Sequence, residues 1–202
     1  MKTEIEVKFL HVDFDDVRKR LLAIGATCEQ PMRLMRRVLY ENDTLRRPDR
    51  DAFVRLRDEG DKVTLTLKEF KNDSLTGAQE REIVVSDFDD TVLILTELNL
   101  SYRTFQESKR ETWMSVHPDG QVEVVLDEWP WLDTYIEIEG PSEAAVRDVA
   151  EKLGFSWQEA TFGSVDVAYK EQYPDMSTRG VIDVGDVRFG APLPKEFGKS
   201  SI

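Results

Sequence analysis

The chain has 202 residues, a length that fits one domain, and its 40% hydrophobic content is enough for a packed core and too high for a disordered chain. A formal net charge of −13 lacks the basic footprint that non-specific binding to nucleic acid or an anionic membrane requires, so neither is an expected partner. The same charge opposes a phosphate ligand unless positive charge is gathered locally or metal ions supply it.

Residues 3–10 alternate strictly, Glu4, Glu6 and Lys8 against Ile5, Val7 and Phe9, which predicts a strand with one apolar face. Asp13 is placed to cap an amphipathic helix carrying Val17, Leu21, Leu22 and Ile24, which stops at Gly25. Cys28, the only cysteine, excludes an intrachain disulfide and a cysteine-based zinc site and reads as a small buried residue after that helix. A second strand is expected over 32–41. Residues 53–57 and 62–70 form a hairpin around Glu59, Gly60 and Asp61. Another strand follows at 79–85, and Ser86 opens a second helix with Asp89 three positions on. Strands are expected near 104–116, 121–128 and 133–139, the first two turning at His117, Pro118, Asp119 and Gly120. Ser142 starts a third helix that closes at Gly154, and a short helix is expected near 164–172.

The order Glu4-Ile5-Glu6, helix, Gly25 recurs as Glu137-Ile138-Glu139, helix, Gly154, and residues 80–99 repeat strand and helix without the glycine. This reads as a degenerate duplication building one barrel from two similar halves. From Pro174 onward the periodicity fades, so the domain is drawn as 1–173 and 174–202 as a loosely ordered extension, with 181–189 a candidate edge strand. No apolar run approaches membrane-spanning length and no leader-like segment precedes Glu4, so a soluble cytoplasmic protein is expected. His11 and His117 are well separated and read as surface or structural residues.

Which face holds the charges is the informative feature. Glu4/Glu6/Lys8, Arg55/Arg57, Lys62/Thr64/Thr66/Lys68, Glu80/Glu82 and Glu137/Glu139 recur at spacing two, with Val, Leu, Ile or Phe on nearly every opposite face. For one strand, a solvated polar face is the simpler reading. Taken together, acidic pairs come from strands near both ends of the chain, and basic and threonine faces cluster between 53 and 68. About eight strands are enough to close a barrel around a ligand. Same-face residues two apart lie roughly 6.5–7 Å from each other, so Glu4, Glu6, Glu137 and Glu139 can present four carboxylates to one space. Such a group needs neutralising, which Mg²⁺ or Mn²⁺ does with oxygen ligands while still accepting phosphate oxygens. Arginines and lysines opposite would take the remaining phosphate charge.

Glu4-Ile5-Glu6-Val7-Lys8 resembles the E-x-E-x-K signature of the CYTH superfamily, the triphosphate tunnel metalloenzymes. The resemblance continues in order through Arg55-Leu56-Arg57, Thr64 to Lys68, Glu80-Arg81-Glu82, Lys109-Arg110 with Trp113, Asp127, and Glu137-Ile138-Glu139, covering roughly residues 3–170. The stretches from Leu126 to Pro130 and from Tyr135 to Gly140 are most similar to the class IV adenylyl cyclase-like branch. One departure is Ser108, where many members carry a lysine; Lys109 substitutes for it only if the strand is bulged or shifted in register.

The resemblance implies an α+β fold, a closed eight-stranded antiparallel barrel or tunnel with helices packed outside. Metal would be held by Glu4, Glu6, Asp127, Glu137 and Glu139. The triphosphate would be held by Lys8, Arg55, Arg57, Lys68, Arg110 and Lys109, with Lys8 also orienting or deprotonating the nucleophile. Glu80 and Glu82 would pair with the lining cations. Three activities stay open: a metal-dependent triphosphatase acting on thiamine triphosphate, a nucleotide or inorganic triphosphate; an adenylyl cyclase converting ATP to cyclic AMP and pyrophosphate; and a module that binds a nucleotide or polyphosphate without turnover. Hydrolysis is favoured because it needs only water, whereas cyclisation also needs a base pocket and an oriented ribose. Arg33, Arg36 and Arg37 read either as an extension of the basic lining or as a surface stripe. Oligomeric state is not legible; a homodimer is one reading.

Overall fold

The computed structural model describes residues 2–3, 5–70, 78–177 and 180–198. They form β1 (Lys2–Thr3), β2 (Ile5–Phe9), α1 (Phe14–Ala23), β3 (Thr27–Glu41), β4 (Arg46–Arg47), β5 (Arg50–Asp58), β6 (Val63–Phe70), β7 (Ala78–Val85), α2 (Phe88–Glu97), β8 (Ser101–His117), β9 (Gly120–Glu128), β10 (Tyr135–Gly140), α3 (Glu143–Lys152) and α4 (Val165–Gln172). The class is α+β, and every ladder between these strands is antiparallel.

The eight-stranded closed barrel is not what forms. Nine strands make one open path, β1-β7-β6-β5-β3-β8-β9-β10-β2, and β4 pairs on β5 outside it. Its two ends are both N-terminal: Lys2 and Thr3 pair with Glu80 and Gln79 on β7, whereas β2 pairs with β10 from Ile5 opposite Gly140 to Phe9 opposite Ile136. Only residue 4 separates the two stretches, so the sheet curls until its ends approach. The β1–β7 register, Lys2 opposite Glu80 and Thr3 opposite Gln79, carries β2 past the described start of β7 at Ala78. On the edge of β2 away from β10, Lys8 N–H donates to the Thr161 carbonyl at 2.8 Å and Thr161 N–H donates back at 2.9 Å.

Helix ends follow their local chemistry. Asp13 and Ser142 cap α1 and α3 by accepting from Asp16 N–H and Ala145 N–H. For α2 the cap is Asp87, not Ser86: its carboxylate accepts from Asp90 N–H, a stronger partner for the orphan donors than a hydroxyl one residue earlier. The strand–helix repeat survives as β2-α1, β7-α2 and β10-α3. Gly25 and Gly154, both at φ +79°, stop the outer two helices, and Asn99 at φ +57° takes that place after α2. Strand β3 starts five positions earlier than expected, which places Cys28 on the strand with its side chain exposed rather than buried.

The helices cover one face of the sheet. Helices α1 and α3 pack Val17, Leu21, Val146 and Val149 on Val7, Phe9, Val124, Leu126, Ile136 and Ile138; α2 sets Phe88 and Leu95 on Val38, Tyr40 and Leu56. Among the described residues no helix is long and apolar enough to cross a membrane.

The C-terminal stretch was expected to be loosely held, yet its described part buries apolar anchors. Val181, Val187 and Phe197 are at most 2% exposed, in a cluster with Trp129, Tyr135, Tyr169 and Tyr173. The edge strand expected at 181–189 is instead a 3-10 turn at Val181–Val184 followed by a single parallel bridge. Val187 exchanges 2.8 Å backbone bonds with Phe105 and Glu107, and Gly185 at φ +84° keeps the preceding residues from extending alongside β8. Phe197→Ala is expected to lower stability by roughly 3–5 kcal/mol, as for a buried aromatic ring, measured as a shift in urea-unfolding midpoint. A shift within error would mean that this segment does not pack on the sheet in solution.

Candidate functional site

Antiparallel partners lie on the same side of a sheet, so the register decides which side chains meet. Glu6 is opposite Glu139 and Lys8 opposite Glu137; Arg110 is opposite both Asp127 and Arg33; Arg37 is opposite Gln106 and Arg57. Beyond these, Arg55 faces Thr66, Thr66 faces Glu82, and Lys68 faces Glu80. All of these side chains lie on the face turned away from the helices. Much of that face is shielded from water, although Glu6 and Glu82 at its margins stay accessible. Thr64, Thr66 and Thr104 are fully buried, and Lys8, Asp127 and Gln106 are at most 2% exposed. Polar residues at such burial mean that the charged strands turn toward one another across the curled sheet.

Three groups of ion pairs follow. In the first, the Lys8 ammonium lies 3.0 Å from Glu6 Oε1 and 3.1 Å from Glu137 Oε1. The Arg110 guanidinium donates to Asp127 through Nε at 2.7 Å and through Nη2, which also donates to Glu137 at 2.9 Å. In the second, Lys68 sits 2.7 Å from Glu80, Arg55 lies 3.8 and 3.9 Å from Glu80 and Glu82, and the Thr66 hydroxyl donates to Glu82 at 2.8 Å. In the third, Arg57 donates to Glu59 at 2.7 and 2.9 Å, with Lys62 at 3.7 Å from the same carboxylate.

Charge balance sets the protonation states. Burial alone would lower the pKa of Lys8, but Glu137 and Glu6 outweigh it and raise the pKa above its ordinary value, so Lys8 is a fixed cation. As a cation it is suited to orienting an anion. Burial raises the Asp127 carboxyl, and Glu137 nearby adds to this against the pull of Arg110.

The expected site residues separate as follows. Glu6, Lys8, Arg110, Asp127, Glu137 and Glu139 come together on β2, β8, β9 and β10, and Arg55, Arg57, Lys68, Glu80 and Glu82 share the face on β5, β6 and β7. Glu4 lies outside the described residues. Lys109 does not join them. The β8–β9 register runs unbroken from Lys109 opposite Glu128 to His117 opposite Gly120, so Lys109 points away from the face that holds Arg110. It instead pairs with Glu128 at 2.9 Å and lies 4.5 Å from the ring centroid of Phe189.

Three residues of this face escaped the sequence reading. Glu59, read as a turn residue, is buried against Arg57, and Gln106 accepts from Arg37 Nε at 2.8 Å. Trp129 lies under the Arg37 guanidinium at 4.2 Å from its ring centroid. The parity of Arg37, on the buried-polar side of a strand bearing Val38 and Tyr40 on the other, was the available signal. A cavity on this face is bounded by Arg37, Arg57, Ser108, Arg110 and Trp129. A larger cavity of about 530 Å³ lies elsewhere, along β2 and α1 near His11, Asp13, Arg20, Phe155 and Glu171. It gathers no comparable set of cations, so charge rather than volume selects the site.

Among the described residues no three His, Cys, Asp or Glu side chains stand close enough to hold a metal ion as a preformed cage. The donor set is all oxygen, which suits a hard cation that takes one or two carboxylates and completes its shell with water and substrate oxygens. Glu6 and Glu139, directly opposed, fit that pattern. Arg110 engages both oxygens of Asp127, and Lys8 engages one oxygen of Glu6.

A family model for the CYTH domain matches residues 2–166. No curated protein matches the chain. Among solved structures, a protein of Pyrococcus horikoshii is 21% identical, covering 78% of this chain and 94% of its own, with a TM-score of 0.60. A candidate adenylate cyclase of Vibrio parahaemolyticus is 12% identical over 81% of this chain and 95% of its own, at a TM-score of 0.63. A candidate adenylyl cyclase of Hippeastrum, for which a dominant triphosphatase activity is described, is 13% identical over 80% and 91%, at 0.51. At these identities the likeness carries the fold alone.

The ion pairs make stability pH-dependent. Burial pushes the Glu137 carboxyl up, but Lys8 and Arg110 outweigh it and hold it at about 2. A folded pKa below the unfolded value of about 4.3 gives stability that is present above about pH 5 and lost as the pH falls through about 2. Glu137→Gln is expected to cost roughly 3–5 kcal/mol at pH 7, as when one partner of a buried pair is removed. The difference in unfolding midpoint between wild type and variant is expected to be smaller at pH 3 than at pH 7. An equal difference at both would mean that Glu137 is not the ionised partner of Lys8 and Arg110.

Proposed function

The chain belongs to the CYTH domain family, and from that premise we propose that it is a divalent-metal-dependent triphosphatase. It takes an organic, nucleotide or inorganic triphosphate on the charged face and hydrolyses a phosphorus–oxygen bond there. One observation supports this most directly: in a protein of net charge −13, Lys8, Arg37, Arg55, Arg57, Lys68 and Arg110 are gathered on one buried face that also carries Glu6 and Glu139. Phosphoryl transfer asks a protein mainly for positioning and charge neutralisation.

The residues divide that work. Arg55, Arg57 and Arg110 are suited to bidentate contact with phosphate oxygens, and Lys68 to a point contact. Lys8, a cation held between Glu6 and Glu137, donates toward the transferred phosphoryl group. Glu6 and Glu139 would hold Mg²⁺ or Mn²⁺. The metal, when bound, neutralises phosphate oxygens and lowers the pKa of an attacking water. Glu59, Glu80 and Glu82 keep Arg57, Lys68 and Arg55 extended on the face.

An adenylyl cyclase is the second reading, brought in by the names of the Vibrio and Hippeastrum structures. In it the ribose 3′-hydroxyl of ATP attacks the α-phosphorus and pyrophosphate leaves, with the same residues holding the phosphates. Hydrolysis is preferred because it requires no base pocket and no ribose orientation, and because a dominant triphosphatase activity is described for the Hippeastrum protein.

Products separate the two. Purified protein with inorganic triphosphate, thiamine triphosphate or ATP is expected to release orthophosphate from at least one of them with Mg²⁺ or Mn²⁺, and none with EDTA. Cyclic AMP with pyrophosphate would replace this reading by the cyclase, and the absence of any turnover would remove both. Glu6→Gln and Glu139→Gln are expected to abolish the metal-dependent turnover; Glu139→Gln relieves repulsion between opposed carboxylates without lowering the melting temperature, whereas Glu6→Gln also removes a partner of Lys8 and lowers it. Full activity in both variants would exclude them as metal ligands.

A further inference from the structure

Arg37 differs from four other cations of the charged face. Arg110, Arg57, Lys68 and Lys8 each lie against a carboxylate. No carboxylate pairs with Arg37 among the described residues. Its guanidinium donates through Nε to the neutral amide oxygen of Gln106 and stacks on the face of Trp129. It retains some accessible surface although protein surrounds it, as expected of a side chain that lines an enclosed concavity. Burial, with Arg55 and Arg57 close by, holds its pKa down to about 9, so the charged form is kept at a cost.

Two further features point the same way. Trp129 is 4% exposed, and its indole N–H, which is buried, finds no acceptor among the described residues. An unmet buried donor beside an uncompensated cation calls for an anionic acceptor. Both border the cavity that Arg57, Arg110 and Ser108 also line. Arg37 is moreover fixed in place: Gln106 sits on β8 between Phe105 and Glu107, whose backbones bond to Val187 of the C-terminal segment at 2.8 Å.

We propose that Arg37, Arg57 and Arg110 form a three-guanidinium seat for one phosphoryl group, and that the bound oxyanion is the counter-ion of Arg37. This rests on the triphosphate reading of the face. Arg57 and Arg110 are partly neutralised by Glu59 and by Asp127 with Glu137, so Arg37 brings the net positive charge of the seat. It also supplies, from β3, the cation that Ser108 on the adjacent strand does not.

The test is calorimetric titration of wild type, Arg37→Met and Arg37→Lys with inorganic triphosphate in Mg²⁺, alongside melting temperatures without ligand. Arg37→Met is expected to bind about 10–100-fold more weakly, as for loss of a charge-assisted contact, with Arg37→Lys in between. The unliganded melting temperature of Arg37→Met is expected to equal or exceed that of wild type, because a buried charge without a partner has been removed. A purely structural arginine would give the opposite, a lower melting temperature with matching loss of binding, and that result overturns the proposal. Unchanged affinity in both variants also overturns it while leaving the triphosphate reading intact. Should Arg37→Met fail to fold, Arg37→Lys alone decides, by weakened or unweakened binding. If wild type ignores triphosphate but binds orthophosphate through Arg37, the triphosphate reading falls and the seat stands; binding of neither removes both.

Discussion

Burying an ammonium group is tolerable only if its lost hydration is replaced, and Lys8 depends on that condition. Its nitrogen lies between Glu6 and Glu137, and Glu137 in turn is shared with Arg110, which is engaged by Asp127. The chain of contacts runs across β2, β10, β9 and β8. Each link leaves the next with a neutralised neighbour, so no one of them can be removed without leaving an uncompensated charge in the interior. The curl of the sheet makes this possible, since it turns the charged face away from bulk water and toward itself.

That curl depends on packing at a distance from the charges. Helices α1, α2 and α3 press on the apolar face, and the strand–helix repeat brings β2 and β10 side by side with their acidic pairs opposed. The C-terminal segment contributes from the other end. Val181, Val187 and Phe197 pack around Tyr169, Tyr173 and Trp129, and Trp129 is the ring on which Arg37 rests. A stretch with little periodicity of its own thus helps to position a guanidinium on β3, through aromatic contacts and one pair of backbone bonds to β8.

Much of the site was legible because side-chain direction alternates with a period of two along a strand. Glu6 and Lys8, Arg55 and Arg57, and Glu137 and Glu139 fall on the polar side of strands whose other side is apolar, and they do share a face. Lys109 was misplaced for the same reason: beside Arg110 in sequence, it must point the other way unless a bulge intervenes, and the register contains none there. Glu59 was hidden by its turn setting, where charge normally signals exposure. The grouping of Arg37 with Arg33 and Arg36 concealed that their parity differs, for Arg36 pairs with Asp58 at 3.0 Å and lies over Phe88 on the helix side.

The sequence by itself determined the order of strands and helices, the capped helices at Asp13 and Ser142, the Glu59–Asp61 hairpin, and the division of most strands into an apolar and a charged side. These are local properties, set by periodicity, capping and turn chemistry within a few residues. Only the tertiary structure decided whether the ladder closes, which cations find carboxylates, and how the C-terminal stretch packs. Lys8 and Thr161, which exchange two backbone bonds on the edge of β2, are far apart in the chain. The pairing of Lys8 with Glu137, and the lack of such a partner for Arg37 among the described residues, likewise depend on register between distant strands. No local pattern carries that information, because hydrogen bonds and ion pairs are satisfied by whatever the fold brings within reach.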